Sequence, residues 1–307
     1  MFFEGTEKKI TVRVSDKSPS LRRLDCCFWA RLVSFAGANI LSQISTTQCD
    51  AYLLSESSLF VWDKHFLMLT CGDSTLVDSL KHFITQVDAD AVIKVRYFRR
   101  NEFMPALQQQ HFFEDVKHIE QIMVGQSYRI GHLDSHHQYV FSANQALEQR
   151  PVMGCELVMY HIQGEFATNL RSGSVTAEDI RARLGGAQLF IDFEIDDHCF
   201  SPSGYSINGV CAAHYFTIHI TPQAQSSYVS FETNLDDTHY SVMVAHLLSL
   251  FSPKKWDVLT YNVEFALQTR EPAFCVMQSQ LALSHNEKLF FYQYQVNNTE
   301  VFRPYAL

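Results

Sequence analysis

The feature that most constrains this chain is a succession of short apolar runs with strand spacing, many following one another with no helix between them. KITVRVS (9–15) alternates, with Ile10, Val12 and Val14 on one face, as a half-buried strand does. Runs at 51–61 and 64–70 read as two strands around Asp63. Others fall at 91–98, 138–143, 156–162, 189–195, 216–220, 228–232, 257–264, 273–280 and 288–296. Such an order predicts mostly antiparallel sheets and the α+β class. Start and stop residues place about five helices between the strands. One covers roughly 20–36, after Ser18-Pro19-Ser20 and ending near Gly37. A second covers 74–88 behind Gly72-Asp73-Ser74, and a third 112–123, with Phe113, Val116, Ile119 and Ile122 on one stripe. A short fourth follows Thr176, and a fifth runs over 239–251 from Asp236-Asp237-Thr238 to Pro253. No Gly/Ser/Pro tract divides the chain, so one domain over 1–307 is expected. A strand pair followed by a capped helix occurs at 57–88 and again at 216–251, a faint internal echo.

The charge balance narrows the partners. A formal charge of −9 offers no basic excess to neutralise phosphates, so nucleic acid is not expected. No run approaches the ~20 apolar residues that span a bilayer. MFFEGTEKK lacks the apolar stretch of a signal peptide. The eight cysteines form no CxxC pair, so no structural zinc site is expected. Free thiols in a reducing cytoplasm follow from that pattern.

The stretch YLLSESSLFV (52–61) is apolar at both ends and holds Ser55-Glu56-Ser57-Ser58 in its middle, poor material for a strand. A serine can attack the carbonyl before it when the backbone is strained, turning the amide into an ester. β-Elimination then leaves dehydroalanine, and hydrolysis leaves a pyruvoyl group. That carbonyl forms Schiff bases with amines and serves as an electron sink for decarboxylation, the work pyridoxal phosphate does elsewhere. The residues permit this chemistry without demanding it, and taken alone they favour an edge strand with exposed hydroxyls.

Six blocks together go further: FFEGTEK (2–8), YLLSESSLFV (52–61), LTCGDS (69–74), FSPSGYSING (200–209), FTIHITP (216–222) and YVSFETN (228–234). In order and spacing they resemble the eukaryotic-type S-adenosylmethionine decarboxylases, over essentially the whole chain. The resemblance implies a four-layer α/β/β/α sandwich, two mainly antiparallel sheets flanked by helices. It implies self-cleavage between Glu56 and Ser57, giving a β chain (1–56) and an α chain (57–307) that remain associated. The cofactor would be a pyruvoyl group derived from Ser57, with no metal and no pyridoxal phosphate. The substrate would be S-adenosylmethionine, and its product an aminopropyl donor for spermidine. Members differ in oligomeric state, and a homodimer is compatible with the pattern.

The resemblance also assigns roles. His219 would take the Ser57 α-proton, its near-neutral pKa suiting the task. Alternation along FTIHI puts Thr217, His219 and Thr221 on one face. Ser206 would hydrogen-bond the ester-forming intermediate, presented by a tight turn between Gly204 and Gly209. Cys71, between a strand and a helix N-terminus that can lower a thiol pKa, would return a proton to the substrate carbon. Phe3 and Phe200 would sandwich the adenine, with a cation–π contribution to the sulfonium of about 0.5–2 kcal/mol. Glu4 and Glu7 would lie beside the active site, and Leu54 and Glu56 against the substrate.

Two departures stand out. Where the family carries a ribose-binding glutamate, this chain has Gln223, which accepts one hydrogen bond without charge assistance. Glu156 and Glu232 match the buried acidic site that binds putrescine in animal members. Thr11, Leu69 and Val152 stand where those members carry charges, so no putrescine activation is expected. Gln223 also motivates an alternative, a decarboxylase of ornithine or arginine, which retention of Phe3 and Phe200 argues against. A non-catalytic regulatory paralogue is a third reading, and the presence of Ser57, Cys71, Ser206 and His219 argues against it.

Overall fold

The computed structural model describes residues 4–55, 57–145, 153–185, 190–267, 273–284 and 286–297. Phe3, Glu56 and Val152 lie outside them. The first half runs β1 (Lys8–Val14), α1 (Cys26–Phe35), β2 (Ile40–Ser45), β3 (Asp50–Leu54), β4 (Ser57–Val61), β5 (His65–Thr70), α2 (Val77–Gln86), β6 (Val92–Arg100), α3 (Phe112–Glu120), β7 (Gln126–Gly131) and β8 (His137–Asn144). The second half runs β9 (Cys155–Tyr160), α4 (Gly164–Ser172), α5 (Ala177–Leu184), β10 (Glu194–Cys199), β11 (Tyr205–Cys211), β12 (His214–Thr221), β13 (Tyr228–Thr233), α6 (Tyr240–Phe251), β14 (Lys255–Tyr261), β15 (Ala273–Ser284) and β16 (Glu287–Val296).

The strands form two eight-stranded sheets, ordered β2-β3-β4-β5-β1-β6-β8-β7 and β10-β11-β12-β13-β9-β14-β16-β15. Adding eight to each strand of the first order reproduces the second, so the faint echo in sequence is a complete repeat in topology. All neighbouring pairs are antiparallel, as expected for strands joined by short connections.

Each sheet buries its outer face under helices. Trp29 and Leu32 of α1 and Leu80 and Phe83 of α2 cover Ile10, Val12, Phe66 and Met68. Phe166 and Leu170 of α4 and Met243, Leu247 and Phe251 of α6 cover Leu157, Met159, Ile218 and Phe231. The inner faces meet in smaller apolar clusters. Phe60, Trp62 and Leu67 join Val210 and Tyr215, and Phe98 and Val140 join Leu259 and Phe291. Helix, sheet, sheet and helix make the four layers that the resemblance implied.

Several local expectations need correction. Residues 51–61 are not one strand. They are two antiparallel strands in which Leu54 pairs with Ser57 and Asp50 with Val61. The strand expected at 189–195 lies at 194–199, because residues 190–192 form a turn. GYSING is strand β11 rather than a turn. The first α-helix starts later than expected, at Cys26, because Asp25 accepts the Phe28 amide at 2.8 Å and caps it there. α2 begins at Val77, since the Ser74 hydroxyl donates to the Cys71 carbonyl at 2.8 Å instead of capping. Gly209 is needed for close approach: a Cβ there would lie 2.0 Å from the Phe216 ring. Gly209→Ala is therefore expected to destabilise the fold by about 1–3 kcal/mol, the cost of overpacking. Denaturant unfolding of the variant should show a lowered midpoint, and an unchanged midpoint would refute the packing argument.

Candidate active site

His219 sits mid-strand on β12, between Ser206 of β11 and Ser230 of β13 in register. Its inward face meets the β3–β4 hairpin of the opposite sheet. The Nε2 atom lies 3.0 Å from Ser57 Oγ, 3.3 Å from Ser58 Oγ and 2.8 Å from Thr217 Oγ1. The other ring nitrogen, Nδ1, lies 2.7 Å from Ser206 Oγ. Burial pushes the imidazole down to about 3, so the ring is neutral and can serve as a base.

Ser57 opens β4 with φ +152, a region a non-glycine residue enters at a cost of about 1–3 kcal/mol. Tight hairpins usually place positive φ on Gly or Asn within the turn. Here the strain falls on a serine. The upstream side is clamped: Ser55 N–H donates to Asn39 O at 2.9 Å, and Asn39 N–H donates to Ser55 Oγ at 3.0 Å.

The remaining expected residues surround this point. Cys71 follows Thr70, which pairs with Ser57 across β4–β5. The adjacent Gly72 carbonyl accepts from Lys8 Nζ at 3.0 Å, and Gly72 N–H donates to the Glu4 carbonyl at 2.8 Å. The helix expected to touch Cys71 starts five positions further on, at Leu76–Val77, so Lys8 is the cation nearest in sequence register. The Glu4 carboxylate accepts from Thr6 Oγ1 at 2.9 Å and from Met104 N–H at 3.0 Å, holding two loops together. Glu7 is buried, accepting from the Ser230 hydroxyl beside His219 and from Tyr228 at 3.4 Å. Burial raises its carboxyl from 4.5 to about 7. Phe200 stands at the end of β10, its N–H donating to Gly204 O at 2.9 Å and its ring edge-on to His198. Gln223 follows β12 and accepts from Ser226 at 3.3 Å. The side chain of Leu54 packs in the outer core, so only its backbone faces the hairpin turn.

Ser58, Thr217 and Asn208 also belong to the cluster: the first two lay in stretches already singled out but carried no expected role, and Asn208 was not anticipated. Reading 205–211 as a strand would have put Asn208 on the face of Ser206. A second polar cluster lies between β1 and β9. Lys9 Nζ contacts Glu156 and lies 3.0 Å from Glu232 Oε2, while Arg100 reaches Glu156 at 2.8 Å. Burial alone would discharge Lys9, but Glu156 and Glu232 outweigh it and keep the ammonium charged. Among the described residues, no three His, Cys, Asp or Glu side chains gather as a metal would need.

A two-sheet sandwich thus holds a neutral histidine against a strained, buried serine. The sequence profile of the adenosylmethionine decarboxylase family matches residues 1–306, and the chain belongs to that family. The S-adenosylmethionine decarboxylase proenzyme of Dictyostelium discoideum is 32% identical over 283 residues, 84% of this chain and 74% of that protein. The proenzyme of Xenopus laevis is 31% identical over 296 residues, 90% and 88% respectively. A solved monomer of Trypanosoma brucei AdoMetDC shares the fold with a TM-score of 0.60 at 20% identity, over 78% of this chain and 99% of that one.

The buried Glu7 yields a test. A carboxyl with a raised native pKa binds its proton more tightly when folded, so its stabilising effect is full below 4.5 and is lost as pH rises to about 7. Glu7→Gln keeps an acceptor for Ser230 and removes that titration. Between pH 5 and 8 the wild type should lose on the order of 3 kcal/mol relative to the variant. Parallel pH profiles in denaturant titrations would contradict it.

Proposed function

We propose that the chain makes its own carbonyl cofactor from Ser57 and uses it to decarboxylate S-adenosylmethionine. The carrying observation is a neutral His219 3.0 Å from a serine with φ +152 at a hairpin turn. Ser57 Oγ adds to the carbonyl carbon of residue 56. The C–N bond breaks, the amine gains a proton, and an ester results. His219 then removes the Ser57 α-proton, and the carboxylate of residue 56 leaves. The dehydroalanine so formed takes a proton at Cβ to become an imine, water adds to it and ammonia departs, leaving a pyruvoyl group. That group, once formed, supplies an electron sink for loss of CO₂.

The chain's other residues then position and protonate. Cys71, one residue past the strand partner of Ser57, returns a proton to the carbon that lost CO₂. Phe200 offers a ring to the adenine, and Gln223 a neutral acceptor to the ribose. Glu4 and Glu7 shape the wall, Glu7 as a carboxyl poised near neutrality. Cleavage would leave β1 of the 1–56 fragment hydrogen-bonded between β5 and β6 of the 57–307 fragment, which supports lasting association. The exposed edge strand β15, with Phe274 and Val276 turned outward, supports pairing with a second copy. None of the eight cysteines forms a disulfide, a pattern that supports a reducing cytoplasm. Among the described residues no helix is long and apolar enough to cross a membrane.

Lys9 supports the absence of putrescine activation, since its ammonium already sits between the two carboxylates a diamine would need. Release of labelled CO₂ from S-adenosylmethionine, ornithine and arginine tests the reading. Turnover of S-adenosylmethionine alone, lost in Ser57→Ala and lowered about 10²–10⁴-fold in Cys71→Ala, is expected. Turnover of ornithine or arginine instead would replace it. Millimolar putrescine should leave the rate unchanged, and a saturable rise would show that Lys9 does not fill the site. Gln223→Glu should lower KM for S-adenosylmethionine about tenfold, the increment of one charge-assisted hydrogen bond. An unchanged KM would place the ribose elsewhere.

A further inference from the structure

His219 Nε2 faces three hydroxyls, and a lone pair shared among three donors is a poor base. The protons of two of them are accounted for. Ser58 Oγ donates to Asn208 Oδ1 at 2.6 Å, and Thr217 Oγ1 donates to the same oxygen at 2.9 Å. A hydroxyl has one proton to give. Neither Ser58 nor Thr217 can then donate to Nε2, although they lie 3.3 Å and 2.8 Å from it. The orientation of the amide is itself fixed: its Nδ2 donates to the Tyr52 carbonyl at 3.2 Å, where a flipped amide would set oxygen against oxygen. Asn208 is fully buried, away from bulk solvent.

We propose that Asn208 is a positioning residue for self-processing. Its amide oxygen takes the protons of Ser58 and Thr217 and so reserves the Nε2 lone pair of His219 for Ser57. This rests on the self-processing reading above. With Nε2 unprotonated, the ring carries its proton on Nδ1 and donates it to Ser206 Oγ, 2.7 Å away. Asn208 on β11, Thr217 on β12 and Tyr52 on β3 thus set the tautomer across both sheets. The site acts at the second step, removal of the Ser57 α-proton, so losing Asn208 should leave the ester formed and stranded.

The test follows the appearance of fragments 1–56 and 57–307 from freshly made full-length chain, with and without hydroxylamine, which cleaves esters and spares amides. Wild type should process unaided. Asn208→Leu, of similar size, should process about tenfold more slowly, the worth of one hydrogen bond to be broken at Nε2. Hydroxylamine should release its 1–56 fragment promptly. Adding Thr217→Val removes the nearer freed proton and should recover most of the lost rate, a non-additivity that a packing role would not produce. Processing of Asn208→Leu at the wild-type rate would overturn the proposal, and so would a double variant slower than the single one. Failure of the wild type to cleave would instead sink the underlying reading. A measurement independent of these variants uses uncleaved Ser57→Ala precursor labelled with ¹⁵N-histidine. His219, assigned by its loss in His219→Ala, should show a proton on Nδ1 and none on Nε2, and the reverse tautomer overturns the proposal.

Discussion

The structure depends on polar and ionised side chains sealed between two sheets. Sheet-on-sheet packing ordinarily joins apolar faces. Here the apolar contacts between sheets are small clusters, and the space among them holds Ser58, Asn208, Thr217, His219, Glu7, Lys9, Glu156 and Glu232, all buried. Each such group is costly unless it finds a partner. The cost constrains geometry: His219 has contacts at both ring nitrogens, and Lys9 lies between two carboxylates. Removing one partner leaves the other unpaired, which fixes the register of one sheet on the other.

The repeat explains where these groups meet. Register makes Lys9 the counterpart of Glu156, since each pairs with the same position of the equivalent neighbour, Leu69 and Glu232. Ser58 and Thr217 are counterparts by the same relation, and their hydroxyls lie 3.4 Å apart. Equivalent positions touch each other only near a twofold axis relating the halves. The site lies on that axis, where a strand of each half contributes, and the symmetry breaks at Ser57, whose counterpart is Phe216. A serine at the strained hairpin and a histidine two residues beyond the equivalent of Ser58 mark where the two halves differ.

The sheets were legible in sequence because their outer faces are strongly apolar, and alternation survives wherever one face is clean. KITVRVS and FTIHI show it, and the His219–Thr217 face followed directly. The hairpin at 52–61 was not legible. It has no Gly or Asn-Gly to announce a turn, because the backbone there is strained where most hairpins are relaxed. β11 was hidden for the opposite reason. Gly204 and Gly209 look like turn residues, but Gly209 is small to admit Phe216. Asn208 went unnoticed with it, and so did Lys9 as the partner of Glu156 and Glu232, since a lysine beside another lysine at a strand start reads as a solvated pair. Motif blocks located Ser57, Cys71 and Ser206, and only the folded chain brought out that His219 joins Ser57 to Ser206.

The central claim is that a backbone amide next to Ser57 rearranges into a ketone. Purified chain treated with borohydride and weighed intact tests it most directly. The account requires a 57–307 fragment whose first residue gains the mass of two hydrogens on reduction, with no free α-amine. A single 307-residue chain unchanged by the reagent, or a 57–307 fragment beginning with an ordinary serine, would contradict it.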